Sequence, residues 1–148
     1  LYDCSNVELQ AGDIINLHIS EGEYDFIILC DVLEHIPIES HAKLFQKLAH
    51  LMREKTVLFI HIPNPQLLEY LNRHEPESLQ VIDQPLYADH IIKLAYDTGL
   101  LMEFFRTYSV FDERDYQMMW FIRKTAFVKI SIPEYPPTLW QRIRHRLL

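Results

Sequence analysis

Two periods of apolar positions alternate along this chain, and each change of period marks an element. Residues 26–30 form an unbroken apolar run, too short for a helix and rich in β-formers. The run predicts a strand buried on both faces, as in a parallel sheet. Pro37-Ile38-Glu39-Ser40 opens a helix, with Glu39 or Ser40 near its cap. Leu44, Leu48 and Leu51, joined by Phe45 and Met52, make one apolar stripe at helical spacing, and that helix is expected to end near residues 53–55. Residues 56–62 predict the next strand, stopped by Pro63 and Pro65, and residues 66–73 a short helix. A polar stretch over 75–85 precedes a helix at 87–98, for which Gly99 provides a C-terminal stop. Residues 100–110 and 116–125 predict an antiparallel hairpin. Upstream, residues 6–11 alternate weakly and predict a short strand that turns at Gly12-Asp13, followed by a connector over 14–22. The fold class is α/β, and no internal repeat or low-complexity tract interrupts it.

The strand at 26–30 carries the strongest chemical signal. Asp31, Glu34 and His35 follow it within five residues. Ligands of open α/β sheets sit beyond the carboxyl ends of the strands, so a polar cluster there is a site candidate on topology alone. Two chemistries are open to the trio. An imidazole near neutral pKa can take a proton from a hydroxyl. Alternatively, two carboxylates and a histidine one helical turn apart can face a divalent cation. The structural alternative is a Glu34 that caps a turn and a His35 packed on the sheet.

The run Tyr24-Asp25-Phe26-Ile27-Ile28-Leu29, then Asp31-Val32-Leu33-Glu34-His35-Ile36, resembles the fourth-strand signature of class I S-adenosylmethionine-dependent methyltransferases. It is similar in particular to the small-molecule group that includes ubiquinone-pathway O-methyltransferases and small-RNA 2′-O-methyltransferases. The resemblance covers about residues 6–124. It implies a partial Rossmann-like methyltransferase sheet, mostly parallel, closed by the antiparallel hairpin. It also implies S-adenosylmethionine as cofactor, with Asp13 and the Ile14 backbone on the adenine, and Cys30 and Asp31 at the mouth of the cofactor cleft. His35 and Glu34 become the catalytic candidates. Ile62-Pro63-Asn64 is similar to the family's Pro-Asn turn, which makes Asn64 a pocket residue. The loop before residue 87 offers Gln80, Asp83 and Gln84 to a substrate, where relatives often keep a histidine. That replacement weighs against a metal, and none is expected. The segment 61–84 also resembles methyltransferase-like proteins of bacterial surface-polysaccharide loci, which points to a saccharide acceptor.

One departure from the family is large. Its cofactor loop needs closely spaced glycines, so that backbone can approach the ligand. This chain has only Gly12, Gly22 and Gly99, with no Gly-x-Gly. The acidic ribose ligand of the second strand has no counterpart either. In the family's sheet, strands 2 and 1 lie between strands 3 and 4. Either residues 6–11 pair directly with 26–30, or a hydrophobic edge stays open. The expected enzyme is therefore the C-terminal portion of a methyltransferase, inactive as this isolated chain. A non-catalytic interaction module is the alternative, and a metal hydrolase built on Asp31, His35 and His61 stands behind both.

Composition narrows the classes further. The chain has 148 residues, 49% apolar and 24% charged, as in an ordinary folded domain. No apolar run approaches the roughly 20 residues that span a bilayer. The start lacks both an initiator Met and a basic leader, so a piece of a longer cytoplasmic protein is expected. Cys4 and Cys30 are too few for a disulfide scaffold. A net charge of −7 argues against nucleic acid as a partner and leaves a small-molecule methyl acceptor. Residues 125–148 nevertheless carry +3 and the remainder −10. The reading therefore divides the chain into a methyltransferase portion, 1–125, and a basic tail, 126–148. In the tail, Trp140, Ile143 and Leu147 would share one face of a short amphipathic helix, able to pack on its own protein or lie on an anionic membrane.

Overall fold

The computed structural model describes residues 6–20 and 24–129. A four-stranded sheet forms its centre. The elements are β1 (Phe26–Cys30), α1 (Ile38–Leu51), β2 (Val57–Pro63), α2 (Pro65–His74), α3 (Ala88–Asp97), β3 (Leu100–Tyr108) and β4 (Tyr116–Arg123). The strand order is β1-β2-β4-β3. β1 and β2 are parallel, joined through α1, while β4 runs antiparallel to both β2 and β3. This is the expected α/β class with its closing hairpin.

Side-chain alternation sends one set of residues to each face. Leu29, Leu58, Ile60, Ile62, Met119, Phe121 and Leu100 point to the covered face, where they meet Leu44, Phe45 and Leu48 of α1 and Ile91 and Ala95 of α3. Phe45 and Phe121 are fully buried. Burial of a side chain of that size contributes about 2–3 kcal/mol. The apolar stripe of the sequence is thus the buried face of α1.

The opposite face has no helix over it among the described residues. Phe26 is 65% and Ile28 60% exposed, so β1 is not buried on both faces as its composition suggests. An apolar run reports that a strand suits burial, and the covering layer is a separate matter. Beside these residues Phe59, Trp120 and Phe104 make ring contacts at 6.4 and 5.0 Å. The outer edge of β1 is also unpaired among the described residues. The strand expected at 6–11 does not form; those residues are exposed and irregular. Their alternation is weak, and no partner strand secures them.

Two boundaries differ from the sequence reading. Pro37 is the N-cap of α1, without a side-chain cap hydrogen bond, so neither Glu39 nor Ser40 caps it. A proline preset near helical φ already starts the first turn. Gly99, at φ 79°, ends α3 as expected. The basic helix expected around Trp140 lies outside the described residues.

Candidate active site

The chain leaves β1 through a sharp turn. Asp31 takes φ 51°, a left-handed conformation that Asp tolerates better than most residues. Its N–H donates to the carbonyl of His61, 2.9 Å away on β2. A 3-10 turn over Leu33–His35 follows, which sends Leu33 into the core and turns Glu34 inward. Glu34 is 1% exposed, and its Oε2 has no hydrogen-bond partner among the described residues. Burial pushes its carboxyl up from 4.5 to about 7; the Asp31 and Asp83 carboxylates add to the rise, against a backbone hydrogen bond and His35. The turn therefore holds Glu34 toward its protonated form.

The loop before α3 is fastened to this turn. Gln84 Nε2 donates to the carbonyls of Ile36 (2.6 Å) and Glu34 (3.2 Å), and its Oε1 accepts from Ile38 N–H. The Gln84 N–H donates to the Glu34 carbonyl as well. His35 Nδ1 lies 2.6 Å from the Ile82 carbonyl and 3.0 Å from Asp83 Oδ1. Its Nε2 faces Glu34 Oε1 at 3.8 Å. Asp83 Oδ2 accepts from the Gln80 N–H, which leaves the exposed Gln80 side chain on the loop surface. Glu34, His35, Asp83 and Gln84 thus form one cluster, although Glu34 and Gln84 lie 50 positions apart in the chain.

A second group gathers at the carboxyl end of β2. His61 Nδ1 faces Asp31 Oδ1 at 3.5 Å, and its Nε2 lies 2.6 Å from Tyr108 Oη. The imidazole stacks on Tyr116, centroids 4.6 Å apart and planes within 10°. Burial and the Asp31 carboxylate push both Tyr108 and Tyr116 above their ordinary values. Partial burial, then Asp31 and Glu34, do the same to the Cys30 thiol, which disfavours a reactive thiolate. Asp115 fixes the hairpin loop beside the two tyrosines by accepting from the N–H groups of Val110, Phe111 and Asp112. Burial would raise its pKa, but these donors outweigh burial and hold it below the usual carboxylate range.

Asp13 is placed elsewhere. Its carboxylate accepts from Ile15 N–H and Asn16 Nδ2 within its own turn. The turn is held by α1: Lys47 donates to the carbonyls of Ile14, Ile15 and Leu17, and Lys43 to Asn16 Oδ1. The Ile14 N–H makes no hydrogen bond among the described residues. No hydrogen bond or ion pair ties this turn to Asp31 among those residues. Asn64 caps α2 by accepting from Gln66 N–H, and its Nδ2 donates to the Arg114 carbonyl. Its side chain is spent on joining α2 to the hairpin loop.

Three participants have no sequence signal of their own. Tyr108 and Tyr116 matter because they face each other in the β3–β4 register, and Lys47 because α1 passes under the Asp13 turn. His61 shows only as a histidine at a strand end. Among the described residues no three His, Cys, Asp or Glu side chains converge as metal ligands, since Asp31 turns to His61 while Glu34 and His35 turn to Asp83.

Comparison with known proteins bears on the family and the fold. No curated protein matches the chain. In the solved structures it is similar to magnesium protoporphyrin IX methyltransferase from Synechocystis PCC 6803, crystallised with bound SAH: 21% identity, TM-score 0.57, 76% of this chain and 49% of that one. It is also similar to a SAM-dependent methyltransferase from Methanosarcina mazei, at 10% identity and TM-score 0.64, over 79% and 67% of the two chains. A small RNA methyltransferase matches at 17% identity and TM-score 0.55, over 80% and 16%. The chain spans about half the length of the first of these structures. At such identities the likeness is one of fold. The profile of a family described as "Methyltransferase domain" matches residues 3–120, and the chain belongs to that family.

Proposed function

We propose that this chain forms the acceptor-side half of an S-adenosylmethionine-dependent methyltransferase that methylates an oxygen of a small polar molecule, such as a saccharide. The observation that carries the reading is the buried Glu34 with its unpartnered Oε2, at the carboxyl end of β1 and under a loop latched by Gln84. Sites beyond the strand ends of such sheets take ligands. A carboxyl near pKa 7 suits removal of a hydroxyl proton.

The residues present fit part of the cofactor. The exposed Asp13 turn offers a carboxylate and the free Ile14 N–H for an adenine edge, and Asp31 offers a half-exposed carboxylate. No Gly-x-Gly exists to cradle the remainder. We therefore propose that further polypeptide completes the cleft along the open edge of β1, and that the isolated chain binds the cofactor poorly. When bound, S-adenosylmethionine supplies an electrophilic methyl group. The chain's own share is orientation and proton handling. Asp83 and Gln80 receive acceptor hydroxyls, His35 holds Asp83 in place, and Glu34 Oε2 takes the proton of the reacting hydroxyl.

The test is transfer of a labelled methyl from S-adenosylmethionine to a panel of saccharides, using the longest natural polypeptide that contains the chain. Transfer is expected to a hydroxyl, and E34Q is expected to lower kcat by 10²-fold or more, on the order of a lost general base. Transfer to nitrogen, or an unaffected E34Q, would refute the assignment. The open face bearing Phe26 and Ile28 favours a second reading, a non-catalytic interaction module. Absence of cofactor binding by every natural form would select it.

A further inference from the structure

Asp31 is held in a conformation that a β-strand does not give it. Its φ of 51° lies in the left-handed region, which a non-glycine residue holds only where the surroundings secure it. His61 secures it twice, through its carbonyl on the Asp31 N–H at 2.9 Å and through Nδ1 facing Oδ1 at 3.5 Å. His61 is itself fixed on two sides, by Tyr108 Oη at 2.6 Å and by the Tyr116 ring stacked at 4.6 Å. Its side chain is 15% exposed and that of Asp31 48%, so the order of residues runs from packed sheet to open cleft.

The partners favour one proton assignment. A carboxylate oxygen accepts, so hydrogen on the facing Nδ1 matches Asp31, and Nε2 is then the acceptor for the Tyr108 hydroxyl. A hydrogen bond at one ring nitrogen fixes what the opposite nitrogen presents. We infer that Tyr108 and His61 are positioning residues, which lock the imidazole with hydrogen on Nδ1 and thereby aim the Asp31 carboxylate into the cleft as a contact for the sulfonium methyl donor. The inference deepens the function proposed above and rests on it for the identity of the donor. It separates His61 from the proton-handling cluster of Glu34 and His35, whose contacts run to Asp83.

The experiment has two arms. The first is long-range 1H–15N NMR of the histidine rings, in this chain and in Y108F. His61 should be a single tautomer with hydrogen on Nδ1, and Y108F should turn it into a mixture. The second arm is calorimetric titration of S-adenosylmethionine into the longest natural polypeptide. Y108F should raise Kd roughly three- to tenfold, the worth of one hydrogen bond. Y96F, on the exposed side of α3, should leave it unchanged. Hydrogen on Nε2 in the wild type, a tautomer indifferent to Y108F, or equal Kd values would each overturn the inference. A wild type that binds no S-adenosylmethionine would overturn the methyltransferase reading instead, and the NMR arm would still decide the His61–Tyr108 lock.

Discussion

Asp83 sets a carboxylate oxygen 3.0 Å from Nδ1 of His35 and so joins the loop after α2 to the turn after β1. The contact depends on Gln84, whose side chain and N–H serve three backbone groups of that turn. Replacing Gln84 by Leu removes three side-chain hydrogen bonds and leaves the Ile38 N–H without its partner, while the residue-84 N–H still serves the Glu34 carbonyl and His41 the Ile36 carbonyl. Unfolding in urea should show a loss of about 1 kcal/mol. Amide exchange at Ile38 and Gln84 should accelerate far more than exchange in β2 and β4.

Glu34 makes stability depend on pH with an unusual sign. Its folded pKa, about 7, lies above its ordinary 4.5. Its contribution is fully present below pH 4.5 and is lost as pH rises to about 7, a span worth about 3 kcal/mol. E34Q removes the ionisation. Urea unfolding at pH 5 and pH 8 should show the variant gaining on the wild type at the higher pH.

His41 acts in the opposite direction. Its ring is buried, with Nε2 2.8 Å from the Ile36 carbonyl and Nδ1 3.1 Å from His90 Nε2. Burial pushes its pKa below 6.5, and His90 adds to this, against the Ile36 carbonyl. Its contribution is present above pH 6.5 and is lost as pH falls through the lowered value. Below pH 6.5 the two slopes oppose each other in the wild type. H41Q should therefore steepen the loss of stability as pH rises from 5 to 6.5, and E34Q should steepen the loss as pH falls from 6.5 to 5; melting curves across that range check both.

Lys47 holds three carbonyls of the Asp13 turn. K47M keeps the apolar stem and removes the donors. Exchange of the Asn16 and Leu17 amides, which close that turn on the Asp13 carbonyl, should rise at least tenfold. The melting temperature should change little, because the turn lies at the surface.

Much of the fold was legible in local pattern. The stripe through Leu44 and Leu48 predicts α1, and Gly99 predicts the end of α3, since spacing and backbone freedom are properties of neighbouring residues. The exposure of Phe26 was not legible, because it depends on what covers a face rather than on the strand. The same distinction runs through the site. Glu34 and His35 stand out as a cluster in sequence and remain one in space. The Asp31–His61–Tyr108 group joins three strand ends, and only the β1-β2-β4-β3 order with its register brings them together. Asn64 follows the Pro-Asn pattern, yet the same side chain is the best cap for α2, and the helix claims it.

Binding of S-adenosylmethionine tests the central claim most directly. Calorimetric titration should give a micromolar Kd for the longest natural polypeptide containing residues 1–148, weakened at least tenfold by D31A, and far weaker binding by the isolated chain. Binding that is equally tight with and without Asp31, or that is absent from the longest form, would contradict the account.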